Sequence, residues 1–334
     1  QARACGRPGG GERGCGRPLD SSGEAGREGA AHGAYAIHIV SGLHPDWSYE
    51  FYIDMVRRVR EAVPDHVIVQ AFTAVEIEHM AIISGKPTLE VLRDLKAAGL
   101  DALPGGGAEI FSDRRRAAAW EKKTNSDVWL RIHSEAHSLG IPTNCTMLYG
   151  HIETIEERVD HMVRLREQQD ASGGFLAFIP LAFHPANTEL ADLPATTGFD
   201  DLKTLAIGRL MLDNIPHVKA FWIMLGLKVA QLSTAFGVDD LDGTVVEERI
   251  THMAGATTPE ALSKDDLVAM IRETGHVPVE RDTPYHVVKV YAGAVQMMTT
   301  PPPAPPPLNH SPPPPSRPPE ARAPPTPRRH HAPP

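Results

Sequence analysis

From Ala36 onward, short apolar runs alternate with amphipathic stretches, the pattern of strand and helix units wrapped around a parallel sheet. The runs 38–43, 67–72, 102–103, 143–148, 176–181, 218–225 and 242–246 are the predicted strands. Between them the apolar period lengthens to that of a helix. Tyr52, Met55, Val56, Val59 and Ala62 share one face behind the capping residues Asp46 and Ser48, and Pro64 ends the run. Thr88 opens a second helix carrying Val91, Leu92, Leu95 and Ala98, closed by Gly99. Thr154 with Glu157, and more weakly Ser263 with Asp266, have the spacing of a capping box. Six or seven such units over roughly 255 residues predict an α/β chain built as an incomplete (β/α)8 barrel, with chemistry on the loops that follow the strands. A doubly wound open sheet is the alternative, but no G-x-G-x-x-G follows the first strand.

Both ends break this pattern. Residues 1–35 are rich in Gly and Arg without either period, and residues 293–334 are rich in proline, so both are expected to be disordered around an ordered domain at 36–292. The proline tail has the composition of a polyproline II ligand for SH3 or WW domains, although most such tails are plain solvated chain.

Composition narrows the function. The 334 residues carry a formal charge of −9, against a general affinity for nucleic acid, which needs a basic surface. No apolar run approaches the length of a membrane span, and no secretory h-region is visible. A small-molecule substrate in the cytoplasm is the expectation. The three cysteines, Cys5, Cys15 and Cys145, are too few and too scattered for a disulfide framework or a closed zinc site.

The loops after the predicted strands, read as 41–47, 73–79, 103–111, 147–154, 181–188 and 240–248, hold the candidate chemistry. Gly105, Gly106 and Gly107 can bring backbone N–H groups close to a ligand, with Glu109 behind them as an acceptor for a ribose or an amine; a tight strand-to-helix turn explains the same triplet. His151 and Glu153 are suited to orient a substrate or shuttle a proton, and Glu153 alone suits the positive end of the following helix. His44 and His184 each precede proline after an apolar run, and Asp242 lies in an Asp-Gly turn, so structural roles compete with functional ones at all three. His133 and His137 are spaced as in a zincin, but Glu135 stands in the wrong place for H-E-x-x-H, and a solvated or capping role is expected.

Taken in order, HIVSGLHPD, AFTAVEIEH, LPGGGAEIF, TMLYGHIET, AFIPLAFHP, RLMLDNIPH, LDGTVVEE and PVERDT across residues 36–286 resemble the aminodeoxyfutalosine synthases, radical S-adenosylmethionine (SAM) enzymes of menaquinone biosynthesis. The resemblance implies a radical SAM barrel, a [4Fe-4S] cluster and S-adenosylmethionine. It also implies transfer of a 5'-deoxyadenosyl radical to 3-[(1-carboxyvinyl)oxy]benzoate, giving 6-amino-6-deoxyfutalosine. Dehypoxanthine futalosine cyclase and the F420-precursor synthase subunit are the sister activities. By the same resemblance, Gly42 and the 105–109 loop would face the cofactor, His151, Glu153 and Glu76 would act in catalysis, and His44, His184, Asn187 and Asp242 would meet the substrate. The family binds its cluster through C-x-x-x-C-x-x-C after the first strand, and no such motif occurs here. Loss of the first βα unit, by frameshift or an altered reading frame, is expected, and with it loss of turnover. A non-catalytic nucleoside-binding barrel is the third reading.

Overall fold

The computed structural model describes residues 19–112, 124–244, 258–259 and 261–292. The expected disorder of 293–334 lies outside them, as do Cys5, Cys15 and most of the TVVEE segment. The elements run α1 (Leu19–Ala31), β1 (Ala36–Ile39), α2 (Tyr49–Ala62), β2 (Ile68–Ala71), α3 (Ala74–Ser84), α4 (Thr88–Ala97), α5 (Ser126–Ser138), β3 (Thr143–Tyr149) and α6 (Ile155–Ser172). There follow β4 (Phe175–Ala182), α7 (Gly198–Met211), β5 (His217–Val218), α8 (Trp222–Leu225), α9 (Leu227–Ser233), α10 (Lys264–Glu273), β6 (Val279–Arg281) and β7 (Val287–Val290).

The parallel pairs β1–β2 and β3–β4–β5 are joined by single bridges, Gln70 with Ala102 and Leu103 with Thr143, and Lys219 with Asp240 adds a rung beyond β5. The result is an arc of parallel rungs with helices on its outer side. No described strand closes it between Asp240 and β1. Side chains alternate across each strand. Thr143 meets His133 and His137 of α5, and Tyr149 meets Asp201 of α7, so Asn144 and Thr146 lie on the inner face. Phe178 abuts Gly208 of α7 and pairs with Val218, which puts Ile179 and Lys219 inside. His38 and Gln70 are paired inner positions between buried Ile37, Ile39, Val69 and Ala71.

Four expectations are corrected. First, residues 19–31, expected to be disordered, form α1. Gly23, Gly26 and Gly29, three apart, make a smooth face on which added Cβ atoms would meet Ala62 at 3.6 Å, Val63 at 3.1 Å and Ile37 at 3.2 Å. Composition counts those glycines against a helix, whereas here they permit close approach to α2 and β1. Second, TAVEIEH is no loop. Thr73 and Glu76 form a capping box, and α3 starts at Ala74. Third, the run 218–225 is a two-residue strand followed by the helical turn α8, since a short apolar run has no period that separates strand from helix. Fourth, of the predicted strand 242–246 the described residues 242–244 form no strand, and the rung beyond β5 is a single bridge just ahead of them at Asp240.

Candidate functional site

The loops at the carboxyl ends of the rungs touch one another in sequence around the mouth of the arc. Glu76 fastens the first pair. Its Oε1 accepts from Ser41 N at 2.6 Å, Ser41 Oγ at 2.8 Å and Gly42 N at 3.1 Å, and its Oε2 accepts from Thr73 N at 2.7 Å and Thr73 Oγ1 at 2.9 Å. Both oxygens of this buried carboxylate are thus occupied, and the side chain braces the β1 loop against the start of α3. Gly42 spends its N–H on that brace and holds φ at 67°.

The glycine triplet meets packing demands. A Cβ on Gly105 would lie 2.7 Å from the carbonyl carbon and oxygen of Asn144, and one on Gly107, at φ 83°, would lie 2.6 Å from Val75. Carbonyl groups of the triplet are tied down as well: Thr146 Oγ1 donates to Gly105 O at 2.6 Å and Trp129 Nε1 to Gly106 O at 3.2 Å. Glu109, itself left-handed at φ 46°, accepts from Leu148 N through its backbone carbonyl at 2.8 Å.

His151 and Glu153 are sealed, their side chains 0% and 1% exposed. The imidazole Nδ1 lies 3.0 Å from Glu153, and Nε2 lies 2.9 Å from Leu148 O. Glu153 also accepts from Gly150 N and His151 N and pairs with Arg158 Nε at 2.7 Å. Burial pushes the Glu153 carboxyl up, yet the His151 hydrogen bond and charge and the two backbone donors outweigh it and hold the group well below the usual carboxylate range. Glu153 therefore organises the turn ahead of α6.

His44 stacks on Trp47 with ring centres 4.5 Å apart and accepts from Asp46 N. His184 Nε2 lies 2.9 Å from Met224 O, which ties the β4 loop to α8. Asn187 is exposed. Asp242, at φ 68°, receives a backbone hydrogen bond's worth of order from Asp240, whose Oδ1 accepts from Asp242 N at 2.7 Å. His133 and His137 form no metal pair. They are packed between α5 and β3 and share Thr143 Oγ1 at 2.9 Å each, so the expected solvated role is corrected as well.

Sequence reasoning missed a charged column on the inner face. Lys219, only 7% exposed, has its Nζ 2.6 Å from Asp242 Oδ1 and 3.9 Å from Asp240 Oδ2. Asp240 in turn pairs with Arg281 and accepts from Tyr285, whose ring stacks on His217 at 3.7 Å. Burial raises the Asp240 carboxyl, but Lys219 and Arg281, with the Tyr285 hydroxyl and Asp242 N–H, hold it at about 2. A lysine inside the apolar run HVKAFW was the available signal. His38 is exposed on the inner face. Desolvation lowers its pKa to about 4, against the opposing pull of Asp242.

The sulfur ligands of a [4Fe-4S] cluster do not fit these residues. Cys145 is fully buried on the helix-facing side of β3, its Sγ 3.5 Å from Ala177 O, and desolvation raises its pKa well above the usual thiol value. No three His, Cys, Asp or Glu residues are grouped to hold a metal among the described residues. Cys5 and Cys15 are separated by nine residues, without a third cysteine near them. No described helix is long and apolar enough to cross a membrane.

Comparison with known proteins bears on residues 5–293. Residues 5–165 match the radical SAM superfamily, and residues 172–293 match the CofH/MqnC C-terminal region. The aminodeoxyfutalosine synthase of Thermus thermophilus is 52% identical over 263 residues, covering 78% of this chain and 70% of the relative. That of Streptomyces coelicolor is 45% identical, covering 77% and 69%. The 5-amino-6-(D-ribitylamino)uracil--L-tyrosine 4-hydroxyphenyl transferase of Methanopyrus kandleri is 40% identical, covering 80% and 74%. Among solved structures, methylornithine synthase aligns with a TM-score of 0.52 at 13% identity, covering 78% of this chain and 73% of that one, a likeness of fold.

Proposed function

Because the chain belongs to the aminodeoxyfutalosine synthase family of radical SAM transferases, we propose that its mouth is built to hold a nucleoside beside a small aromatic acid, and that these 334 residues do not by themselves sustain turnover. The observation that carries this reading is the ligand set. The family's chemistry supplies a radical from a cluster and S-adenosylmethionine, and a cluster needs three thiolates close together. Here the one described cysteine faces the helices as a packed apolar group.

What the chain's own residues do is position. Glu76, Glu153 and the glycine triplet set the loops at the mouth, and the roles suggested for them become those of positioning residues. Gly42, Glu109, His44, His184, Asn187 and Asp242 are the candidates to touch a ligand. The site so formed is a cytoplasmic enzyme's.

Anaerobic reconstitution with iron and sulfide, followed by absorbance and product analysis with S-adenosylmethionine and 3-[(1-carboxyvinyl)oxy]benzoate, tests the proposal. Sub-stoichiometric iron and no aminodeoxyfutalosine are expected. A stoichiometric cluster with nucleoside product would overturn it. Supplying 5-amino-6-(D-ribitylamino)uracil with tyrosine in the same assay tests the sister activity, which is named for a relative at 40% identity against 52% for the synthase, and no product is expected from it.

A further inference from the structure

The structure assigns the outer groove between α6 and α7 as a dimer interface, on which a second copy of this chain lays its α6 over α7 about a two-fold axis parallel to the helices. Cluster loading and turnover have no bearing on it.

Hydrogen bonds across the groove fix the relative height of the two helices. Arg158 reaches Asp200 and Thr204, Arg166 reaches Met211 O, and Asn214, just past α7, reaches Arg166 O and Asp170. Ile155 therefore stands level with Phe199, Val159 with Lys203, and Val163 with Ile207. Ile155, Val159 and Val163, 55%, 38% and 38% exposed, follow one another at i, i+4 and i+8 as one stripe of α6. Phe199 and Leu210, 78% and 77% exposed, share a face of α7, with half-buried Ile207 between them. Both stripes border the same groove, since Val159 follows the arginine that spans it and Phe199 precedes the aspartate that receives that arginine. Five large apolar side chains grouped on two neighbouring helices differ from the scattered single residues of an ordinary surface.

Charge selects the occupant and its orientation. The arginines of α6 are engaged, Arg158 by Glu153 and Asp200, Arg164 by Asp127 and Arg166 by Asp213, while Glu156, Asp160, Glu167 and Asp170 are exposed. The outward side of α6 is therefore acidic. On α7, Arg209 turns to Asp239, and Lys203, 48% exposed and 4.0 Å from Asp200, is the outward cation. An axis along the groove brings Lys203 of each copy to the level of Asp160 of the other, with the apolar stripes meeting between them. An axis across the helices would instead stack α6 on α6 and set the acidic rows against each other. The 18 residues of α6 make a helix about 27 Å long, and two helices side by side are about 20 Å wide, so each copy covers on the order of 500 Å². About 1,000 Å² for the pair is the lower bound of a specific interface, which makes the dimer reversible, with a dissociation constant of roughly 10 µM. Helices run parallel in the two copies, so both mouths open on one side, clear of the contact.

Sedimentation velocity of the full chain, across concentrations from about tenfold below to tenfold above that constant, tests the assignment. A monomer–dimer equilibrium without larger species is expected. Phe199→Glu should weaken it at least about tenfold. Should that variant fold poorly by circular dichroism, Val163→Glu on the other stripe repeats the test. Lys203→Glu and Asp160→Lys should each weaken the dimer about fivefold, and the double variant should restore it to within about twofold, because each copy then offers the reversed pair. A surface change without an intermolecular partner gives no such rescue. A monomer throughout, which would leave the groove to a partner of other sequence, would overturn the assignment. So would open-ended association, an affinity indifferent to the glutamate substitutions, or a charge swap without rescue.

Discussion

A methyl group at position 105 would press on the main chain of Asn144 and Cys145 at 2.7 to 2.9 Å, and backbone cannot swing aside as a side chain can. Gly105→Ala should therefore destabilise the fold by about 2 kcal/mol through overpacking. Gly85→Ala, left-handed but with open space around it, should cost about 1 kcal/mol. Urea midpoints at constant slope check the pair, and equal losses would count against the packing account. Glu76 is the second such residue. Glu76→Gln replaces one of two acceptor oxygens with a donor facing other donors, so a loss of about 2 kcal/mol is expected, together with faster amide exchange at Ser41 and Gly42. Sequence motifs singled out both positions. They could not say that the glycines serve β3 and that the carboxylate serves two loops, because those partners are distant along the chain.

Between α5 and β3, the helix and strand are joined by a hydrogen-bonded chain from His133 through Thr143 and His137 to Ser172. Desolvation lowers the pKa of His137 to about 4 and that of His133 well below its usual value. A histidine whose folded pKa lies below its unfolded one binds more protons when unfolded. Stability at this seam is thus fully present above about pH 6.5 and is lost as pH falls toward 4, by at most about 3 kcal/mol for His137. His137→Gln should flatten the decline of melting temperature between those pH values, and an unchanged slope would refute the assignment. The i, i+4 spacing was legible and so was its mismatch with a zinc motif. Burial of the rings against Trp129 and Phe175 was not, since a helix shows which residues share a face before it shows what covers that face.

Across the molecule, the C-terminal hairpin β6–β7 lies where the arc is open. Glu280 accepts from Tyr35 just ahead of β1 and pairs with Lys264, while Arg281 and Tyr285 reach Asp240 at the far rung. The hairpin is a strap between two sheet edges that would otherwise be unpaired. Arg281→Met leaves Asp240 short of a partner and should cost about 3 kcal/mol, with limited proteolysis cutting first near residues 282–287. Cleavage elsewhere, or no loss of stability, would dismiss the strap. The alternation of apolar and amphipathic stretches was enough to determine a parallel α/β arc, its approximate strands, most of its capped helices and, through eight motifs in order, its family, because each of these is written in local periodicity or contiguous residues. Tertiary structure alone decided that α1 is a helix, that Glu76 and Glu153 are braces, and that Lys219, Asp242, Asn144 and His38 share one face. Those outcomes depend on which distant strands become neighbours, and strand register, rather than any property of a single segment, brings such residues together.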